Sequence, residues 1–105
     1  MAHVRRGQLA AIGIHYIYFP LEYMLDSHAK AGYKTVEVLG QAPHYLIDDH
    51  GFQDPADLRR KVEQRGMNIG VFTPECAVYQ YRINLADEGA HARSMEYFKR
   101  SFEAA

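Results

Sequence analysis

The sequence has little cysteine and no long apolar run. Cys76 is the single cysteine among 105 residues, so an internal disulfide is excluded and a reducing compartment is favoured. Arginines and apolar residues open the chain, but no small-residue cleavage site follows them, which is not typical of a secretion signal. No stretch approaches the roughly 20 apolar residues of a membrane span. We therefore expect a cytoplasmic protein without a membrane partner.

Concentrated positive charge is also missing. The 12 lysines and arginines nearly balance 13 aspartates and glutamates, for a formal net charge of -1, and no run of five basic residues occurs. Nucleic-acid binding needs clustered Lys and Arg. The composition therefore disfavours nucleic acid as the main partner.

Strand and helix signals alternate along the chain after a loose lead-in over residues 1–8. Apolar or alternating segments predict three strands, at Leu9 to Tyr18, Lys34 to Leu39 and Asn68 to Phe72. Caps, helical spacing and glycine stops predict three helices: from Pro20 to Gly32, from the cap Asp54 and Pro55 to Gly66, and from about Asp87 to Ala105.

This order, β-α-β-α-β-α, predicts an α/β fold with parallel strands and right-handed crossovers. We expect one domain over residues 1–105, a (βα)3 N-terminal portion of a TIM barrel, because a full eight-unit barrel takes roughly 250 residues. A small open sheet is the alternative. In the second strand, Val36 and Val38 should face one side and Glu37 the other.

The loop after the third strand is rich in polar and aromatic residues. Thr73-Pro74 should end that strand, since proline has no N–H for a sheet ladder. Glu75, Cys76, Tyr79, Tyr81 and Arg82 follow within a few positions. Chemistry in βα folds lies on the loops after strands, so this loop is a candidate ligand site.

Three blocks of sequence, in order, resemble the xylose-isomerase-like barrel family of sugar phosphate isomerases and epimerases. GIHYIYFPLEYMLDSHAKAGYKTVEVLG resembles the opening of that barrel, and GQAPHYL resembles the loop after its second strand in the fructoselysine-epimerase-like branch. FTPECAVYQYRINLADEGAHARSMEYFKRSFEAA resembles that branch's TPE…YPYN loop and the helix after it. The similarity covers nearly the whole chain from Ile12 onwards.

The resemblance implies a sugar or sugar derivative as substrate and a divalent metal, Mn or Mg, that stabilises an enediolate. A glutamate pair would move the proton, but in the family those carboxylates and the metal ligands lie on later strands, outside this chain. The positions that would face the substrate pocket are His15, Glu37, His44, Glu75 and Tyr81. The chain departs from the family in the loop after the second strand, where Leu39-Gly40-Gln41 replaces an aromatic and two glycines.

Each candidate also has a structural interpretation. Glu37 could form an ion pair with Lys34 or an arginine, His15 could be a hydrogen-bonded core histidine, and Glu75 could cap a helix. His44, Asp48, Asp49 and His50 fit no standard zinc spacing, which favours a solvated loop. Cys76 has no neighbouring histidine base and is disfavoured as a nucleophile. The helical spacing predicts that a stripe of the last helix faces the core: His91, Met95, Phe98, Phe102 and Ala105.

Three functions remain open. The first is the N-terminal part of a metal-dependent sugar isomerase or epimerase, without turnover as this 105-residue chain alone. The second is a non-catalytic module that assembles with itself or with a partner chain, because the outer strands are exposed edges. The third is a nuclease, which Phe72-Thr73-Pro74 disfavours because related endonucleases carry a metal-binding histidine there.

Overall fold

The computed structural model describes residues 3–75 and 79–105, in which strands and helices alternate. The strands β1 (Ala10–Ile12), β2 (Thr35–Gly40) and β3 (Asn68–Pro74) form one sheet in the order β1-β2-β3. Both pairings are parallel. The helices that follow the strands are α1 (Leu21–Lys30), α2 (Pro55–Glu63) and α3 (Glu88–Ala104). The predicted α/β fold with three βα units is confirmed.

The first strand is much shorter than predicted. The interpretation of Leu9 to Tyr18 as one strand is wrong, because a 3-10 turn, Ile14–Tyr16, follows directly after β1. At Gly13 the backbone passes so close to α1 that an added Cβ would overlap Met24 Sδ and lie 3.1 Å from His44 Nδ1. Apolar and aromatic composition does not distinguish a strand from such a turn, so the sequence pattern was ambiguous here.

Two prolines occupy positions that differ slightly from the prediction. Pro20 is the N-cap of α1 rather than its first helical residue. Pro74 is the last residue of β3, although we expected Thr73-Pro74 to lie beyond the strand. Because β3 is an outer strand of this sheet, Pro74 can pair with Gly40 without donating an N–H to a further strand.

An irregularity in β3 sets which of its side chains face the helices. Val36 pairs with Ile69 and Glu37 pairs with Val71, so Gly70 is an extra residue between them. Such a bulge re-aims the side chains that follow it. As a result Phe72 lies on the same face as Ile69, three positions earlier, and packs against the core.

The core lies on one face of the sheet. Val36 and Val38 are fully buried there, as predicted, under side chains from all three helices. Those helix residues are Leu21, Met24, Leu25, Leu58, Val62 and Tyr97. Fully burying one such aliphatic side chain stabilises the fold by about 1.5–3 kcal/mol.

The opposite face of the sheet contributes no residue to this core cluster. It bears Glu37, Val71 and Thr73, which are exposed or half-buried, and by strand alternation Leu39, which is buried. Val71 remains 44% exposed. The described part of the chain is thus a sheet with helices on one side only.

The helix α3 buries a face that periodicity did not predict. Ser94, Tyr97 and Ser101 are its buried residues, whereas Met95 is 48% and Phe102 is 82% exposed. The prediction of a core-facing stripe is therefore wrong for Met95 and Phe102, whereas Phe98 of the same stripe packs against the core. Each serine donates its hydroxyl hydrogen to a carbonyl four residues earlier, so these small polar residues can be buried without an unpaired hydroxyl.

The helix ends follow the sequence signals. Asp54 caps α2 by accepting a hydrogen bond from Ala56 N, and Asp87 caps α3 by accepting one from Ala90 N. Gly66, with φ +67°, closes the turn after α2 as predicted. Within residues 3–75 and 79–105, no helix has both the length and the apolar character needed to cross a membrane.

Candidate functional site

A cleft of about 770 Å³ lies between the loop after β2 and the loop after β3. Leu46 to Asp49 form one wall, and Tyr79 to Arg82 form the other. Ala90 and Arg93 on the first turns of α3 line it as well. Both loops follow the carboxyl ends of parallel strands, where α/β folds place their ligands.

The Tyr81 hydroxyl joins the two walls. It donates a hydrogen bond to Asp49 Oδ1 at 2.7 Å and accepts one from Asp49 N at 3.2 Å. This donated hydrogen bond holds the pKa of the Asp49 carboxyl below its usual range, with further help from Arg93. Burial, and then the same hydrogen bond, raise the pKa of Tyr81. The result is an ionised carboxylate fixed at the rim of the cleft at neutral pH.

Aromatic rings support the wall that contains Tyr81. Its ring stacks on Tyr97, with centroids 4.2 Å apart and planes at 14°, and Tyr79 meets Tyr97 edge-on. Tyr97 is fully buried and donates its hydroxyl to Gly40 O at 3.2 Å, and burial raises its pKa to about 12. The cleft wall is therefore attached to the end of β2 through α3.

Glu75 stabilises the backbone beneath this wall. It is only 7% exposed, and its Oε2 accepts a hydrogen bond from Tyr79 N at 2.6 Å. The Tyr79 hydroxyl in turn accepts a hydrogen bond from Ala42 N at 3.0 Å in the opposite loop. Glu75 thus lies behind the cleft residue Tyr79 and is not itself a lining residue.

His44 is buried on the other side of the β2 loop. Its Nε2 lies 2.9 Å from Tyr16 O, which can only accept, so Nε2 carries the hydrogen. Nδ1 is then a buried acceptor, and it has no partner among the described residues. His44 therefore connects the turn after β1 to the loop after β2.

Glu37 and His15 occupy two further environments. Glu37 lies on the helix-free face, where its Oε1 accepts a hydrogen bond from Thr73 Oγ1 at 2.6 Å. The alternative of an ion pair with Lys34 or an arginine is not found among the ion pairs of the described residues. His15 is exposed within the 3-10 turn after β1, so the alternative of a core histidine is wrong.

The predicted site residues are therefore only partly brought together. Tyr81 lines the cleft and Glu75 supports it, whereas His15, Glu37 and His44 lie elsewhere. The sequence favoured a solvated loop for Asp49 over a metal ligand and gave no signal for Arg93, so neither was among the predicted site residues. Cys76 lies outside the described residues.

The comparisons leave the family open. No protein-family model, curated protein or solved structure matches the chain. The metal implied by the resemblance can be tested on the residues themselves: in residues 3–75 and 79–105 no three His, Cys, Asp or Glu side chains form a group that could hold an ion. The resemblance places the metal ligands outside this chain, so the metal stays a prediction.

Proposed function

We propose that this chain forms the N-terminal part of a sugar or sugar-phosphate isomerase/epimerase barrel. The enzyme would act at a carbon next to a carbonyl through an enediolate. The observation that carries the proposal is the one-sided sheet, with three helices over Val36 and Val38 and the Glu37 carboxylate on the other face. In a barrel the helix-free face becomes the interior, where a carboxylate can contact a bound ligand.

The loops at the carboxyl ends of the strands support the same proposal. Tyr81, Asp49 and Tyr79 form a polar aromatic wall, and hydroxyl and carboxylate groups on an aromatic surface suit a polyhydroxy ligand. A cytoplasmic location fits the single cysteine of the sequence. The chain's part in the reaction would be to bind and orient substrate.

The described residues contain no group of three His, Cys, Asp or Glu side chains that could hold a metal ion. Under this proposal the metal ligands and the proton-transferring carboxylates belong to later strands. We therefore expect no ketose epimerisation by the 105-residue chain in the presence of Mn²⁺. Measurable epimerisation would contradict the placement of the catalytic groups outside this chain.

Sugar binding is tested by titrating the protein with ketoses and following backbone amide shifts by NMR. We expect saturable shifts at residues after β2 and β3, including Asp49 and Tyr81. Glu37→Gln should weaken binding if the helix-free face takes part, whereas Glu63→Gln, an exposed control on α2, should not. Shifts confined to residues far from both loops, or no saturation, would refute the proposal.

A second candidate function is a non-catalytic module that assembles with itself or another chain. It is favoured by the exposed apolar residues Met95 and Phe102 on α3 and Val71 on the outer strand. Sedimentation should then show a dimer or larger assembly, and Val71→Glu should dissociate it if the sheet is the interface. A monomer with a cooperative thermal transition would exclude this candidate.

A further inference from the structure

The cleft between the β2 and β3 loops contains positive charge, part of which acts on the Asp49 carboxylate through space. Arg82 and Arg93 both line it, and neither guanidinium takes part in a hydrogen bond or ion pair among the described residues. Arg60, Arg65 and Arg100, in contrast, are each paired with a carboxylate. Each guanidinium in the cleft offers five N–H donors in a fixed plane.

The two arginines are held near each other by the backbone. Arg82 N donates a hydrogen bond to Ser94 Oγ at 3.0 Å, and Ser94 is fully buried next to Arg93 in α3. Ser94 Oγ also donates to Ala90 O at 2.8 Å. The main chain that carries both guanidinium groups is therefore anchored to the same turn of helix, which brings the two exposed side chains to the same part of the cleft.

The two acidic residues of the cleft each use one carboxylate oxygen for hydrogen bonds within the protein. Asp48 Oδ1 accepts hydrogen bonds from His50 N and Gly51 N, and Asp49 Oδ1 accepts one from Tyr81. One oxygen of each carboxylate is therefore engaged within the protein. The second oxygen of each remains an acceptor for hydroxyl groups of a ligand.

We infer that this cleft binds a small polyhydroxy phosphate monoester, with the phosphate between Arg82 and Arg93. Guanidinium groups match phosphate oxygens in bidentate geometry, and Asp48 and Asp49 accept hydrogen bonds from the hydroxyls. The volume of about 770 Å³ lies in the roughly 300–1,000 Å³ range of small-molecule sites. The inference rests on the proposed function only for the sugar-like body of the ligand, since the phosphate site is argued from the two arginines alone.

The test is isothermal titration of the full chain with fructose 6-phosphate, fructose and inorganic phosphate at low ionic strength. We expect the phosphate ester to bind at least about 10-fold more tightly than fructose. Arg82→Gln and Arg93→Gln should each weaken that binding by about 10-fold. Arg59→Gln removes the same charge from an exposed position on α2, outside the cleft, and should leave the affinity within about 2-fold, since distant surface charges are screened.

The outcomes separate the anion site from the sugar function. Equal weakening by all three substitutions, or no saturable binding of either phosphate compound, would overturn the inference. Equal affinity for inorganic phosphate and the ester, still lost in Arg82→Gln and Arg93→Gln, would support the anion site and contradict the proposed sugar ligand. Preference for the ester with loss in both cleft variants would support both.

Discussion

Replacing Tyr81 by phenylalanine isolates one hydroxyl that connects the two loops. The substitution keeps the ring that stacks on Tyr97 and removes both hydrogen bonds to Asp49. A hydrogen bond to a charged group contributes about 1.5–3 kcal/mol. The Asp49 side chain is 13% exposed, so water can partly replace the lost donor, and the lower end of that range applies. We expect the free energy of unfolding to fall by about 1.5–2 kcal/mol.

Urea unfolding followed by circular dichroism at pH 7 measures this loss. Tyr33→Phe is the matched control, since the described residues provide no hydrogen bond to the Tyr33 hydroxyl, and it should change stability by less than about 0.5 kcal/mol. A double-mutant cycle with Asp49→Ala should give a coupling of about 1 kcal/mol or more, because the two side chains are in direct contact. Additive effects of the two substitutions would show that the hydroxyl and the carboxylate do not interact.

The pH dependence provides an independent check. The pKa of Asp49 is lowered in the folded protein, first by the Tyr81 hydrogen bond. The stabilisation is therefore complete above the unfolded pKa of about 3.9 and is lost as the pH falls through the folded pKa. The stability difference between wild type and Tyr81→Phe should shrink in strong acid. An equal difference at pH 7 and pH 3 would refute a role for the ionised carboxylate.

Two further predictions concern the sheet and the buried histidines. Gly70→Ala should lower the free energy of unfolding by about 1–3 kcal/mol, because the added Cβ would overlap Thr35 Cγ2. The control Gly51→Ala has no atom within 4 Å of its added Cβ and should leave the free energy of unfolding unchanged. Equal effects of the two substitutions in urea unfolding would refute the steric argument. Burial, and then the charge of His44, lower the pKa of His28, so the unfolded chain takes up its proton first and stability should fall as the pH drops below about 6.5. His28→Leu should reduce this fall in stability, while His50→Gln, at an exposed histidine, should leave it unchanged. Identical pH profiles of stability for wild type and His28→Leu would show that His28 does not cause the fall.

The order of strands and helices could be predicted because it depends on strong local signals. Asp54 with Pro55 begins α2, Asp87 caps α3, and Gly66 adopts the positive φ that suits glycine. The opposite orientation of Val36 and Glu37 in β2 could also be predicted, because successive side chains of a strand point to opposite faces. These features need no knowledge of distant contacts.

The predictions that were wrong concern features that depend on tertiary contacts. The short β1 follows from the close approach of Gly13 to Met24 and His44, which are remote in sequence. The buried face of α3 is set by the bond from Tyr97 to Gly40 O, so a stripe containing Phe102 was a misleading signal. In the cleft, Arg93 becomes a candidate only because the hydrogen bond from Arg82 N to Ser94 brings its helix turn to the loop.

The extra residue in β3 makes the effect of a deletion depend on its position in the strand. Between Val36 and Val38 of β2 there is one residue, whereas between Ile69 and Phe72 of β3 there are two. Deleting Gly70 would restore one-to-one pairing and leave Val71 opposite Glu37 and Phe72 opposite Val38, so the later strand residues would keep their faces. Deleting Phe72 instead would place Thr73 opposite Val38, where it would point toward the helices, and Glu37 would lose its hydroxyl donor. During sequence divergence, a single-codon deletion at the bulge would therefore preserve both faces of the sheet, whereas one beyond it would alter the core and the helix-free face together.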